Sequence, residues 1–491
     1  MDVFISGVGM TKFGKSTEPL ESLMAEAALG ALRGAGLEKV DAIYTGVMNI
    51  EEFVGDSNIG VLLVDTLGLS GIPSTRVETA SSTGAGAFQT AFYSVASGHM
   101  KNVLVVAGEK MTHLTTAKTT RILSEVIDRS ERRYGATMPA LAAMIAQKYA
   151  WQYRLSSPAL EEILSQVAIK NHFNGSFNPF AQFRKRISFE EYLRSPIVSY
   201  PLRLYDCAPI TDGAAAMVLT AEPTDVKISG IGHATDTLAV RHRATLTSFN
   251  STKEAALRAY SMAQVNPSDI QFAEVHDAFT PFEIIGTEDL GFFPPGKGGN
   301  ALRDGVTGLR GKLPINPSGG LKSRGHPVGA SGLAQLVEIV WQLRGEAGEG
   351  RQLKKAEIGL AQSIGGLGNN NLVTILERRD RRKTVVPGWE LRYRPEIRSG
   401  KKASDPSLEE GVGILETFTI LHSPPEGFRS PLSLGFVKLK KGGRIMVCNP
   451  EYRLPEQLKI GKKVYVFTRE GLYVFERRSF WSRLKQWLKG R

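Results

Sequence analysis

Cysteine is nearly missing from this chain: there are two in 491 residues, Cys207 and Cys448. They lie far apart and match no metal-ligand spacing, which excludes a disulfide framework and a zinc site from the expectation. Also missing is any apolar run near the roughly 20 residues that span a bilayer. The opening MDVFISGVGM alternates like a strand and lacks the basic region and apolar stretch of a signal peptide. A cytoplasmic protein without a transmembrane segment is expected. Basic excess is missing from most of the chain as well. The net charge is +12, yet residues 378–491 carry 26 Lys/Arg against 12 Asp/Glu, so the preceding 377 residues stand at −2. A near-neutral body with a basic appendage follows. Single-strand binding needs aromatic platforms among the charges. The strand-rich part of the appendage, from about 411, offers few, mainly Phe436, Tyr452, Tyr465 and Phe467, several of which alternate as core residues do, so no nucleic-acid partner is expected.

What is present is first an internal repeat. VFISGVG at residues 3–9 recurs as VKISGIG at 226–232, and EAAL at 26–29 recurs at 254–257, each opening an amphipathic helix that leads to a short strand. Such alternation of strands and helices predicts parallel sheets covered on both faces, in two pseudo-symmetric halves. A chain this long also exceeds one ordinary core. The reading gives an N-terminal half at 1–225 that includes a cap-like insertion from about 110 to 225, and a second half at 226–377. A linker follows at 378–410, then an all-β unit of the OB type at 411–478 and a basic amphipathic helix at 479–491.

Four segments place reactive groups at the ends of predicted strands, where ligands bind in α/β folds. Residues 77–88 read VETASSTGAGAF, a strand running through a turn into a small-residue helix, with Ser81 over the helix N-terminus, where backbone N–H groups favour negative charge. The others are His276 in HDAFT, His326 in NPSGGLKSRGHPVGASG and Ser363 in QSIGGLG. A lone histidine near a strand end is usually structural; four such groups at symmetry-related ends point to a site. The pocket reading places Ser81 and His326 both at helix N-termini, with His276 between them.

VETASSTG, HDAFT, NPSGGLKSRGHPVGASG and QSIGG, with NPFAQFRKRISFEEYLRSPIVSYPLRLYDCAPITDGAAA, resemble the thiolase superfamily, in its sterol-carrier-protein and archaeal acetyl-CoA acetyltransferase branch, over about residues 1–377. Residues after about Gly411 resemble the OB-fold domain that accompanies archaeal thiolases as a separate acyl-CoA-associated protein. That companion usually carries a zinc ribbon with paired cysteines; they are absent here, and no metal is carried over. The resemblance implies a five-layered αβαβα fold, a homodimer or homotetramer, and acyl-CoA as substrate with no covalently bound cofactor. It also implies a partner of the hydroxymethylglutaryl-CoA synthase type.

In the family a cysteine at the position of Ser81 takes the acyl group and the histidine matching His326 activates it. The residue matching His276 joins His326 in one oxyanion hole, and the backbone N–H groups of Ser81 and Gly365 form the other. A second cysteine, at the position of Ala278 or Ser363, exchanges the α-proton. Here both sulfurs are replaced. A thiol with a pKa of about 8.5 supplies thiolate readily, whereas a hydroxyl needs full general-base help. Cys207 sits at the end of the insertion and reads as a small packed residue. Three functions stay open: carbon–carbon bond making or breaking through an enolate, by retro-aldol cleavage or decarboxylation; acyl transfer through Ser81 with His326 as base; and acyl-CoA binding without turnover in a scaffold.

Overall fold

The two copies of the repeat become neighbouring strands at the centre of one sheet. The computed structural model describes residues 1–381, 411–440, 442–469 and 471–476; residues 382–410 of the linker expected at 378–410, and the expected terminal helix at 479–491, lie outside the described residues. The first half contains β1 (Phe4–Met10), α1 (Leu20–Ala35), β2 (Ala42–Gly46), β3 (Ser74–Val77), α2 (Thr83–Ala96) and β4 (Asn102–Glu109). A long excursion carries α3 (Met138–Gln152), α4 (Ser157–Gly175) and a hairpin, β5 (Ile197–Ser199) and β6 (Leu202–Arg203), before β7 (Gly213–Thr220). The second half repeats the plan with β8 (Val226–Thr235), α5 (Asn250–Ala263), β9 (Phe272–Glu274), α6 (Ser331–Arg344), β10 (Ile358–Gly365) and β11 (Asn370–Arg378).

The strand order is β3-β2-β4-β7-β1-β8-β11-β10-β9. Outward from the β1–β8 junction both halves read alike, and the place of β3 is held in the second half by a single bridge between Ala273 and Ile315. Glycines in the repeat explain the symmetry. A Cβ on Gly9 would be driven into the carbonyl oxygen of Ala27, and one on Gly232 into that of Ala255. Each first strand therefore lies directly under its helix. The helices supply alanines at those contacts, and the buried positions of α1 (Leu20, Leu23, Met24, Ala27, Ala31) recur at helical spacing.

Small residues also pack the centre. A Cβ on Gly84 of α2 would lie 2.8 Å from Gly329 O, and one on Gly332 of α6 would lie 2.9 Å from Ala85 N. The almost wholly buried α2 and α6 form the middle layer, with α1 and α5 outside the half-sheets. This is the αβαβα arrangement.

Two expectations are corrected. The sheet is mixed: β2 runs parallel to β3 and β4, and β9 to β10, but β7 and β11 run antiparallel to their neighbours. For β11 the cause is local, because residues 366–369 join it to β10 and so short a turn permits only an antiparallel neighbour. The insertion also ends before 225, since 213–220 form the buried strand β7 between β4 and β1.

The appended unit contains β12 (Gly411–Leu421), β13 (Leu432–Leu439), β14 (Arg444–Asn449), β15 (Lys463–Arg469) and β16 (Leu472–Glu476). It closes as β12-β13-β14-β16-β15-β12, the order of an OB barrel. Leu415, Phe418, Val437, Val447 and Phe475 fill its interior. Leu434, Phe436, Met446 and Cys448 face the other way and pack with Ala140, Leu141 and Met144 of α3. The barrel is also stitched to the body by a β12–β5 pairing at Leu421 and Ser199. Arg444 donates to the carbonyl oxygens of Arg241 (2.9 Å) and Arg243 (3.1 Å). Among the described residues no helix is long and apolar enough to cross a membrane.

Candidate active site

Between the end of β3 at Val77 and the start of α2 at Thr83 the chain turns sharply, with Ala80 at φ 55°. The turn is built from its own hydroxyls. Thr83 Oγ1 donates to Ala80 O (2.6 Å) and accepts from the Thr79 N–H (2.9 Å), while Ser82 Oγ donates to Thr79 O (2.6 Å) and lies 3.1 Å from Asn370 O. Ser81, 7% exposed, is thereby held just ahead of the first turn of α2. Gly365, at the end of β10, fits against this turn because it has no side chain: a Cβ would lie 2.6 Å from both Ser82 Oγ and Asn370 O.

His326 is not at a helix N-terminus, contrary to the sequence expectation. It lies five residues before Ser331, the first residue of α6, and reaches that helix through its ring: Nδ1 is 2.7 Å from Ser331 Oγ. Ser331 Oγ is also 2.9 Å from Pro327 O. Two oxygens that close need a proton between them, so the hydroxyl donates to Pro327 and accepts from His326 Nδ1–H. The proton of neutral His326 is thus on Nδ1, and Nε2 carries the lone pair. Thr211 Oγ1 accepts from the His326 N–H (2.9 Å) and anchors the backbone.

His276 follows β9, and its N–H donates to Gln362 Oε1 (3.3 Å). Its ring meets that of His326 edge to face, centroids 5.2 Å apart at 87°. Burial holds both imidazoles neutral: His276 is pushed down to about 3 by desolvation and then by the Arg324 charge. His326 is pushed well below the usual histidine value by desolvation, with His276, Arg324 and Lys322 adding to it.

Ser363 lies on β10, 2% exposed. The hydrogen bonds of the described residues do not join Ser81 Oγ to either imidazole. They do tie the surroundings together, since the turn carrying Ser81 abuts Gly365 and α2 abuts the start of α6. The carbonyl of Ala278 accepts from Ala208 N–H (2.9 Å) and from Lys322 Nζ (3.4 Å). Cys207 is no replacement thiol: burial pushes it up to about 12.

Sequence reading missed the groups that hold this site. Arg324 and Glu274, both buried, form an ion pair at 3.4 Å across 50 residues of sequence. Asp277 accepts from the N–H of Leu321 (2.6 Å) and from Asn171 Nδ2 (2.7 Å), tying the HDAF segment to the loop before His326 and to α4. Arg324 and Ser331 sit within the quoted glycine-rich segment, Asp277 is the second residue of HDAF, and Glu274 lies two residues before it. The available signal was a charged residue in an otherwise apolar or glycine-rich run, with nothing to show which charge it met.

Comparison with known proteins agrees with this architecture. Residues 3–223 match the thiolase N-terminal domain and residues 232–378 the thiolase C-terminal domain-like family. The chain is similar to the acetyl-CoA acetyltransferase of Methanothermobacter thermautotrophicus, 42% identical over 387 residues that cover 77% of this chain and all of that protein. Sterol carrier protein 2 of Bos taurus is 34% identical over 76% of this chain and 72% of its own length. Among solved structures, a monomeric SCP2-thiolase like protein type 1 from Mycobacterium smegmatis aligns with 97% of this chain and 99% of its own, at a TM-score of 0.76 and 16% identity. That likeness in fold takes in the barrel. The Ltp2-ChsH2(DUF35) aldolase aligns with 77% of this chain and 98% of its own at a TM-score of 0.65 and 24% identity. Matched across both halves of its body, the chain belongs to the thiolase family.

Proposed function

We propose that this protein makes or breaks a carbon–carbon bond beside the carbonyl of a coenzyme A thioester, holding the enolate between His276 and His326, with no acyl group carried on residue 81. The observation that supports it most is the buried perpendicular imidazole pair. His326, with its proton fixed on Nδ1, offers the Nε2 lone pair to a carbon-bound proton and then, as imidazolium, faces the oxygen where charge develops. Two neutral imidazoles in a buried site have little solvent to reorganise, which is where such stabilisation contributes most. Ser81 takes the place of the family cysteine. Its hydroxyl has no base within hydrogen-bond reach among the described residues, and this favours a supporting role over covalent attack.

The substrate in this reading is an acyl-CoA; no metal and no covalently bound cofactor enters it. The barrel is read as a fused form of the acyl-CoA-associated OB domain of archaeal thiolases, and its strand order and its seat on the insertion suit that origin. A homodimer or homotetramer, a partner of the hydroxymethylglutaryl-CoA synthase type and a cytoplasmic location belong to the same proposal. The sheet edge at β3, with one side unpaired among the described residues, suits subunit pairing.

The test is exchange of the α-protons of a short acyl-CoA in deuterated water, followed by mass spectrometry. Loss of an oxyanion donor typically costs about a hundredfold or more, so His326→Ala should lose exchange by at least that factor, while Ser81→Ala keeps most of it. A mass increase on Ser81 after mixing with acyl-CoA, abolished in Ser81→Ala together with turnover, would establish the serine acyltransferase instead. Binding without exchange or turnover would leave the scaffold reading.

A further inference from the structure

Two buried polar atoms beside the imidazole pair have no hydrogen-bond partner among the described residues: His276 Nδ1 and the Ser363 hydroxyl. Ser363 lies on β10, and His276 follows β9, the parallel neighbour of β10. β9 and β10 pair Phe272 with Gly359, Ala273 with Leu360 and Glu274 with Ala361. The ladder stops there, the His276 N–H donating to Gln362 Oε1 instead; the register extended by two residues would bring His276 level with Ser363, with both side chains on one face by strand alternation. The intervening Gln362 points the other way, its Nε2 donating to Thr252 Oγ1 of α5 (3.1 Å). Ser363 faces the central helix: a Cβ added to Gly332 of α6 would lie 2.7 Å from its Oγ. His326, against which His276 packs, is bonded to the first turn of that same helix.

We propose that Ser363 is a positioning residue whose hydroxyl donates through one water to His276 Nδ1, and thereby keeps the ring proton of His276 on Nε2. A neutral imidazole has one N–H, and the nitrogen that carries it is set by what faces the other. Nδ1 with a lone pair needs a donor, and a serine hydroxyl supplies one by rotation about a single bond. Two other unpartnered atoms lie among these groups: Gln335 Oε1 is an acceptor with no proton to give, its own Nε2 being spent on Gln362 O (3.0 Å) and Glu274 O (3.3 Å), and Arg324 Nε is a donor whose guanidinium is held by Glu274, Ser318 and the Ser331 carbonyl.

The two histidines are then set in opposite tautomers by two serines. Ser331 accepts from His326 Nδ1–H and leaves a lone pair on Nε2; Ser363 donates through the water to His276 Nδ1 and leaves an N–H on Nε2. One imidazole presents an acceptor for a proton and its neighbour a donor for an oxyanion. The catalytic meaning of this arrangement rests on the enolate reading; the tautomer itself does not. It gives Ser363 a use that a second thiol would not share, since an alcohol there exchanges protons with carbon poorly but makes a good fixed donor.

The experiment uses the full chain with 15N-labelled histidine. There are eight histidines, and the His276 signals are identified by their loss in His276→Gln. Two-bond proton–nitrogen correlation at neutral pH should find the Nε2–H tautomer in wild type, with Nδ1 shifted as a hydrogen-bond acceptor. In Ser363→Ala that acceptor shift should disappear, and in Ser363→Cys, a weaker donor, it should be partly kept. α-Proton exchange in Ser363→Ala should fall about tenfold or more in kcat with KM little changed. A wild-type spectrum with the proton on Nδ1, or unchanged His276 nitrogen shifts in Ser363→Ala, overturns the proposal. If Ser363→Ala does not fold, the wild-type and Ser363→Cys spectra decide. The expected tautomer in a protein that exchanges no α-protons would keep this proposal and discard the enolate reading.

Discussion

At the scale of single residues, burial keeps both imidazoles of the site neutral. Exposed histidine titrates near 6.5, but His276 is driven to about 3 and His326 downward as well, burial being the first cause for both. Such a histidine binds fewer protons in the fold than in the unfolded chain. Its contribution to stability is complete above about 6.5 and is lost as the pH falls toward the folded value of about 3. Glu274 and Asp277, whose carboxyls burial raises, take up protons in the fold before they do in the unfolded chain, and so act in the opposite sense. The direct readout is therefore protonation itself. Nitrogen resonances of His276 and His326 should stay those of neutral imidazole from about pH 8 down to about pH 5; a titration midpoint near the ordinary histidine value would show that solvent reaches the pair.

At the scale of elements, the controlling contacts are those between first strand and first helix in each half. The repeat was legible because the glycines that admit the helix recur with the alanines that meet them. Gly9 and Gly232 are predicted to behave as equivalents. Alanine at either would push a methyl into a helix carbonyl and should lower stability by about 1–3 kcal/mol, the usual cost of overpacking, read as a shifted urea midpoint. Gly34 near the end of α1 is the control, since a Cβ there meets Gly7 Cα at only 3.6 Å; Gly34→Ala should be neutral or gain up to about 1 kcal/mol from helix propensity. Equal losses at all three positions would mean that close approach of helix and strand is not what the repeat encodes.

At the scale of the whole molecule, the barrel is part of the folded body. Its outward residues Leu434, Phe436 and Met446 share one apolar cluster with α3, and the edge of β12 pairs with β5. From β5 and β6 the chain runs on through Cys207 and Ala208 to Ile210, which bridges His326. A chain ending at residue 381 would uncover that apolar face and an unpaired edge, both association-prone. Such a truncation should elute as higher-order species in size-exclusion chromatography and bind a hydrophobic dye, while the full chain does neither. A well-behaved truncated protein with dye binding no greater than wild type would make the barrel a mere passenger.

The sequence by itself determined the pseudo-symmetric plan, the family resemblance and the positions of Ser81, His276, His326 and Ser363 along the chain. These follow from local pattern: strand alternation, helical spacing, glycine where backbones meet, and turns whose hydroxyls bond to their own backbone. Tertiary structure alone decided that His326 reaches α6 through Ser331, that Arg324 faces Glu274 across 50 residues, and that alternate residues of β13 serve the barrel interior and the body. Tautomer, desolvation and charge pairing depend on which groups distant in sequence are brought within about 3 Å of each other. No periodicity along the chain records that distance, because it is set by how whole layers stack.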